Sequence, residues 1–238
     1  GRAIADMLIV HGARAHICDI ADDFLDDFAT AHPEAGVTKA DVSREVDVDR
    51  LFDAAVKSLG GLDALINNAG VAGPTGAIED LDPAEWRHCI DVCLTGQFLC
   101  AQRAAPLLKQ AGGGSIVGMA SVAGKYGYAF RTPYSSAKFG IIGLTQSLAK
   151  ELGPSNIRVN AILPGIVEGQ RMEGVIRNRA AQVGVSYEEM ENQYLQKISL
   201  RHMVTMDDVA AMTLFLLSNA GKNLSGQSIA VDGNVETL

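Results

Sequence analysis

The sequence predicts an α/β protein built on a doubly wound parallel sheet, in three α/β/α layers. Three observations carry that prediction. Short apolar runs of strand length alternate with stretches of helical period along the whole chain. The apolar runs are bounded by helices on either side, as in a parallel sheet covered on both faces. Residues suited to ligand contact fall where those runs end, at Asp19, Asp41, Asn68, Ser121 and Pro164. Doubly wound sheets bind their ligands at the carboxyl ends of the strands.

Taken in order, residues 1–11 read as a helix with Ile4, Ala5 and Leu8 on one side and Gly12 as its stop. Residues 15–19 form a short strand ending in an acid. Residues 21–32 are helical and stop at Pro33, and 36–40 are a brief strand. Asp41-Val42-Ser43 follows as a loop and helix cap. Val48, Leu51, Phe52, Ala55, Val56 and Leu59 make a clean helical stripe, closed by Gly60-Gly61. Residues 62–66 are an apolar strand running into Asn67-Asn68-Ala69-Gly70. One long helix is expected over 83–110, with Trp86, Ile90, Leu94, Phe98 and Leu99, and Gly112-Gly113-Gly114 breaks it. A strand over 114–120 leads through a loop to a helix that ends at Gly153-Pro154. A strand over 157–162 turns out at Pro164-Gly165. Residues 168–200 are polar, helical and interrupted, an insertion that reads as a lid. A helix over 207–218 and a strand over 228–231 complete the chain. No linker or shift in composition divides it, so one domain over 1–238 is expected.

The bulk numbers exclude several classes. A net charge of −8 argues against nucleic acid and anionic membrane as partners. No apolar stretch approaches the ~20 residues of a membrane span, and the first residues lack the order of a signal peptide. The 4 cysteines (Cys18, Cys89, Cys93, Cys100) contain no CxxC and read as buried thiols of a reducing cytoplasm. The 5 histidines show no HxxxH pair, so no metal is expected.

The chemistry centres on residues 121–138. Tyr134 and Lys138 are four apart and share a helix face. Ser121, at a strand end, reaches toward the same space. A phenol, an ammonium and a hydroxyl there suit proton transfer to or from an alcohol oxygen. Bringing a tyrosine from its usual pKa near 10 down by roughly 3 units takes about 4 kcal/mol. An ammonium about 4 Å away supplies on the order of that amount at an effective dielectric near 20. Such a Tyr/Lys pair recurs by chance, so it needs company. Asp19 supplies some: an acid ending the second strand of a dinucleotide-type unit accepts hydrogen bonds from both ribose hydroxyls and repels a 2′-phosphate, favouring NAD over NADP. Asp41 and Val42 are placed to contact adenine, or to cap a helix. Small residues at Ala69 and Gly70 let a cofactor lie against the backbone, with Asn68 fixing the loop.

Asn67-Asn68-Ala69-Gly70, Ser121, Tyr134-Ser135-Ser136-Ala137-Lys138, Ile157-Arg158-Val159-Asn160 and Pro164-Gly165, in this order, resemble the short-chain dehydrogenase/reductase family over nearly the whole chain. The resemblance implies a Rossmann-type fold, a nicotinamide cofactor and hydride transfer between it and a secondary alcohol or ketone. It implies Tyr134 as acid/base, Lys138 as its tuner and ribose binder, and Ser121 as substrate orienter. It extends the cofactor contacts to Gly1, Ile20, Gly165 and Val167, and it implies homodimers or homotetramers. It also implies that the first strand and most of a glycine-rich phosphate loop precede Gly1, this sequence being part of a longer gene product.

Two positions depart from the family pattern. Cys93 stands where the family usually has an Asn that holds a water in a proton relay, so that relay is expected to be rerouted or slower. Gly169 stands where a Thr usually touches the cofactor. Within the lid, Arg171, Arg177 and Arg179 are candidates to meet an anionic substrate group, with Met172, Tyr187 and Met190 as candidate apolar wall. A 3-oxoacyl-thioester (acyl carrier protein) reductase is an alternative within the family, and a hydroxy-acid or polyol dehydrogenase is another. A catalytically silent nucleotide-binding subunit is the alternative from another class.

Overall fold

A computed structural model describes residues 1–236, apart from the side chains of Arg171, Asn178 and Gln182. Helices and strands alternate. α1 (Arg2–Val10) leads to β1 (His16–Asp19), α2 (Asp22–Ala31), β2 (Gly36–Lys39), α3 (Glu45–Leu59) and β3 (Ala64–Asn67). α4 (Pro83–Ile90) continues through a π-helical turn, Asp91–Thr95, into α5 (Gly96–Gln110). β4 (Gly114–Met119), α6 (Ala123–Tyr126), α7 (Thr132–Leu152) and β5 (Ile157–Pro164) follow. The lid holds α8 (Gln170–Val183) and α9 (Tyr187–Leu195), and α10 (Met206–Leu217) and β6 (Ser228–Val231) close the chain. No helix among the described residues is long and apolar enough to cross a membrane.

All the strand pairs are parallel. β3, β4, β5 and β6 lie side by side in that order, and β1 pairs with β2 in a separate ribbon. A cavity of about 2360 Å³ lies between the two groups, walled by His16–Asp19 of β1 on one side and by Ala64–Asn67 of β3 on the other.

The period-2 alternation of the strands sorts their side chains onto two cores. On β4, Ile116 packs with Leu99, Ala104 and Leu108 of α5 and Leu152 of α7. Val117 and Met119 point the other way, onto Ile4 of α1 and Val209 and Ala210 of α10. These two helical layers around one sheet make the three-layer architecture. Residues 83–110 do not form a uniform helix: five residues after Ile90 adopt the wider π winding. Apolar periodicity does not reveal such a turn, because one extra residue barely shifts the stripe. α6, four residues long, is likewise too short for a periodic signal. In the lid, Met172, Tyr187 and Met190 pack with Ile176 and Ala180 into its own small core rather than forming an open wall.

The Ile157–Asn160 segment shows why those polar residues sit in a buried strand. Asn160 is fully buried; its amide donates to Leu224 O at 2.8 Å and its carbonyl accepts from Gln227 N at 3.1 Å. Arg158 donates to the carbonyls of Leu216 and Gly221, satisfying groups left open past the end of α10. Asn160→Ala strands a backbone donor and acceptor. It is expected to lower the unfolding free energy by about 1–3 kcal/mol, read from the urea midpoint at unchanged slope.

Candidate active site

The site is built where β3, β4 and β5 end. Beyond β4 the chain passes through Ala120 to Ser121, which opens α6: Ser121 Oγ accepts from Ala123 N at 3.1 Å, and Gly124 N donates to Ser121 O. That bond uses the hydroxyl as acceptor and leaves its O–H proton to donate. α6 presses on α7 without a spacer. A Cβ on Gly124 would stand 2.6 Å from Lys138 O, so only glycine fits there. Ser135 Oγ ties the two helices further by donating to Ala123 O at 2.6 Å.

α7 starts at Thr132 with Pro133 in its first turn, so Tyr134 and Lys138 lie on successive turns of one face. Lys138 is 4 % exposed, and its Nζ donates to Met119 O, the last carbonyl of β4, at 2.7 Å. From there the ammonium stands 5.4 Å from the Tyr134 ring centroid. On the Tyr134 ring there is a second cation: Arg131 Cζ is 5.2 Å from the same centroid.

Tyr134, Lys138, Asn68, Gly70, Pro164, Val167 and Gly1 line one pocket of about 210 Å³. Asp19, Ile20, Asp41, Val42 and Ala69 line the large cavity, and Gly1, Asn68 and Gly70 border both. Ser121 and Gly165 line neither space. Gly165 is instead packed against Asp232, whose Cβ would lie 2.6 Å from a side chain placed there.

The individual candidates differ in what occupies them. Asp19 Oδ1 accepts from Ala21 N at 3.0 Å. Ile20 beside it is 65 % exposed. Asp41 does not cap α3, whose N-cap is Arg44. Asp41 Oδ1 instead accepts from Ser43 N and Ser43 Oγ, at 2.9 and 2.6 Å. The Ser43 hydroxyl holds the Asp41 carboxyl below its usual range. Val42 is buried against Gly96 of α5, so it is as much a core residue as a cavity wall. Gly169 has φ 133 and caps α8, a backbone state that a Thr would adopt only under strain.

Three of the cysteines are buried, and Cys18 is half-buried, contrary to the expectation that all four are core thiols. Burial, helped by the neighbouring Asp19 charge, pushes the Cys18 thiol up to about 11. Cys93, in the π turn, grips the loop after β3. Its Sγ lies 3.3 Å from Val71 N and 3.4 Å from Val71 O. Cys89, one turn earlier, is hydrogen-bonded to Cys93; that bond, together with burial, raises the Cys89 thiol well above its ordinary range. The thiol at position 93 thus holds the loop carrying Asn68 and Gly70 against the helix.

Of the lid arginines, the Arg171 side chain lies outside the described residues, and Arg177 and Arg179 are exposed. The arginine that does stand beside Tyr134 is Arg131, on its ring, which the sequence did not single out. Its signal was present: it precedes Tyr134 by three residues, the other spacing that brings side chains together at a helix.

A family model described as enoyl-(acyl carrier protein) reductase matches residues 1–235. The chain is 34% identical over 244 residues to a trans-4-hydroxycyclohexanecarboxylate dehydrogenase of Sinomonas cyclohexanicum, covering 98% of this chain and 87% of that protein. Among solved structures, a NAD+-bound xylitol dehydrogenase superposes with TM-score 0.92 at 26% identity, covering 98% of this chain and 93% of the other. A variant of actinorhodin polyketide ketoreductase with NADPH gives TM-score 0.93 at 29% identity, covering 99% and 92%. The fold and these matches define a nicotinamide-dependent oxidoreductase. The chain belongs to the short-chain dehydrogenase/reductase family.

Removing the Cys93 grip tests its structural part. Cys93→Ala is expected to cost about 1–3 kcal/mol of stability by leaving Val71 N–H without its acceptor. Cys93→Ser, which keeps a donor and acceptor, should lose less in parallel urea titrations.

Proposed function

We propose that this protein is an NAD-dependent oxidoreductase that moves a hydride between the nicotinamide and a secondary alcohol or ketone, with Tyr134, Lys138 and Ser121 as its catalytic residues. The observation that carries the reading is the buried Lys138 ammonium, fixed on Met119 O and facing the Tyr134 ring in the pocket beside Asn68 and Pro164.

The residues present fit a dinucleotide. Gly1 opens α1 beside Asn68, and the family resemblance would place the pyrophosphate at this helix end. Small residues at Ala69 and Gly70 line the large cavity. Asp19 at the end of β1 suits ribose hydroxyls and disfavours a 2′-phosphate, which supports NAD over NADP. Asn68, Gly70, Pro164 and Val167 would enclose the nicotinamide end, with Ile20, Asp41 and Val42 at the adenine end and Gly165 behind the strand-end turn. When bound, the nicotinamide supplies the acceptor for the hydride leaving the carbinol carbon.

The protein's own part is the proton. In the oxidation direction Tyr134 Oη takes the hydroxyl proton as the carbinol C–H bond breaks. Lys138 favours the phenolate by its charge in a water-poor pocket. Ser121, one residue past the pocket-lining Ala120, is assigned the donation of its O–H to the substrate oxygen, although it does not itself line the small pocket. In reduction the same groups run in reverse, Tyr134 giving its proton to the carbonyl oxygen.

A small alcohol is better supported than an acyl-carrier thioester. The family model bears the acyl-carrier description, but the Sinomonas relative is named for a ring alcohol that carries a carboxylate. Exposed Phe98 on α5 and Phe139 on α7 support pairing of copies into dimers or tetramers through those helices.

Steady-state kinetics with a panel of secondary alcohols tests this. Tyr134→Phe should lower kcat by about 10³-fold, within the range of general acid–base catalysis, with NADH affinity nearly unchanged. A mutant that keeps its kcat contradicts the Tyr134 role. For the coenzyme, the wild type should favour NAD, and Asp19→Ala should shift the ratio of kcat/KM values toward NADP; a wild-type preference for NADP contradicts the Asp19 role.

A further inference from the structure

Arg131 is a cation without a carboxylate partner among the described residues, in a chain with 28 acidic side chains against 20 basic ones. It sits at the start of α7, half-buried, with its guanidinium against two aromatic faces: 5.4 Å from the Tyr128 centroid and 5.2 Å from that of Tyr134. One Nη2 proton goes to Ala72 O at 2.7 Å, while Nε is enclosed and has no hydrogen-bond partner. A guanidinium withdrawn from water with part of its donor set unmet is costly unless an anion completes it.

Arg131 stands three residues before Tyr134 and on its ring, and Tyr194 of the lid helix α9 is hydrogen-bonded to Tyr128, the other ring against the guanidinium. An anion held here would lie beside Tyr134.

We propose that Arg131 binds the anionic group of the substrate, and that the substrate is a compact hydroxy acid or keto acid whose carboxylate lies a few bonds from the reacting carbon. This rests on the reading of Tyr134 as the acid/base of an alcohol oxidoreductase. The planar fork of Arg131 matches a carboxylate. Its stacking on Tyr134 fixes the distance between that carboxylate and the reacting oxygen, and so limits substrate length. Arg131 is then a specificity-determining residue, and the exposed Arg177 has no part in it.

The test compares an acid and a neutral alcohol of the same ring. With 4-hydroxycyclohexanecarboxylate, Arg131→Met should lose about 100-fold or more in kcat/KM, the worth of a charged hydrogen-bonded contact. With cyclohexanol the same variant should change less than about fivefold, and Arg131→Lys should recover part of the loss on the acid. Equal losses on both alcohols would mean that Arg131 only props Tyr134 in place, and would overturn the proposal. Calorimetric titration with cyclohexanecarboxylate, which has no hydroxyl to oxidise, separates this from the reading beneath it. Binding by the wild type that Arg131→Met abolishes supports the anion site even if no alcohol is turned over. No binding, or equal binding by both proteins, refutes it even in an active dehydrogenase.

Discussion

The contact on which the site depends is the bond from Lys138 Nζ to Met119 O. It joins the last carbonyl of β4 to the second turn of α7, and it fixes an ammonium that is almost wholly buried. Such a charge is expensive away from water unless held and used. The fold meets that cost from several sides. Gly124 allows α6 to touch the α7 backbone at Lys138 itself, and Ser135 bonds across to Ala123. With Lys138 so placed, Tyr134 one turn earlier has a fixed cation beside its ring, and the pocket lined by Asn68, Pro164 and Val167 lies against it.

Around this contact the two functions of the site divide along the strand ends. The Tyr134 end is small and enclosed, with two cations on one phenol ring. Asp19 ends β1 and lines the wide space between β1 and β3. Gly1, Asn68 and Gly70 border both spaces. The loop carrying Asn68 and Gly70 is held by a thiol, where the family usually has a carboxamide. Cys93 accepts from Val71 N–H and returns a donor to Val71 O, so sulfur ties this loop to the π turn.

Much of this was legible in the sequence because strand ends in a doubly wound sheet are marked by changes in residue type. The apolar runs gave the order of elements, and Asp19, Asn68 and Pro164 marked where the runs stopped. The Tyr134/Lys138 spacing then followed from helix geometry. What was hidden has physical reasons. The π turn at Asp91–Thr95 leaves the apolar stripe almost intact, so the helix over 83–110 read as regular. Asp41 read as a helix cap, but its carboxylate closes a turn onto Ser43 one step earlier. The lid arginines drew attention because they cluster in sequence, whereas Arg131 stands alone there and is noticed only by the rings it stacks on. Met172, Tyr187 and Met190 are apolar for the lid's own core, a distinction that spacing does not carry.

The central claim, that Tyr134 and Lys138 serve a transfer between substrate and nicotinamide, is tested most directly by isotope. An active alcohol from the panel, carrying deuterium on its carbinol carbon, is incubated with the protein and NAD, and the coenzyme is analysed by mass spectrometry. The account predicts one deuterium in the NADH formed, absent in Tyr134→Phe over the same time. NAD binding with no deuterium transferred from any alcohol tested would contradict it, leaving a nucleotide-binding protein with an unused Tyr/Lys pair.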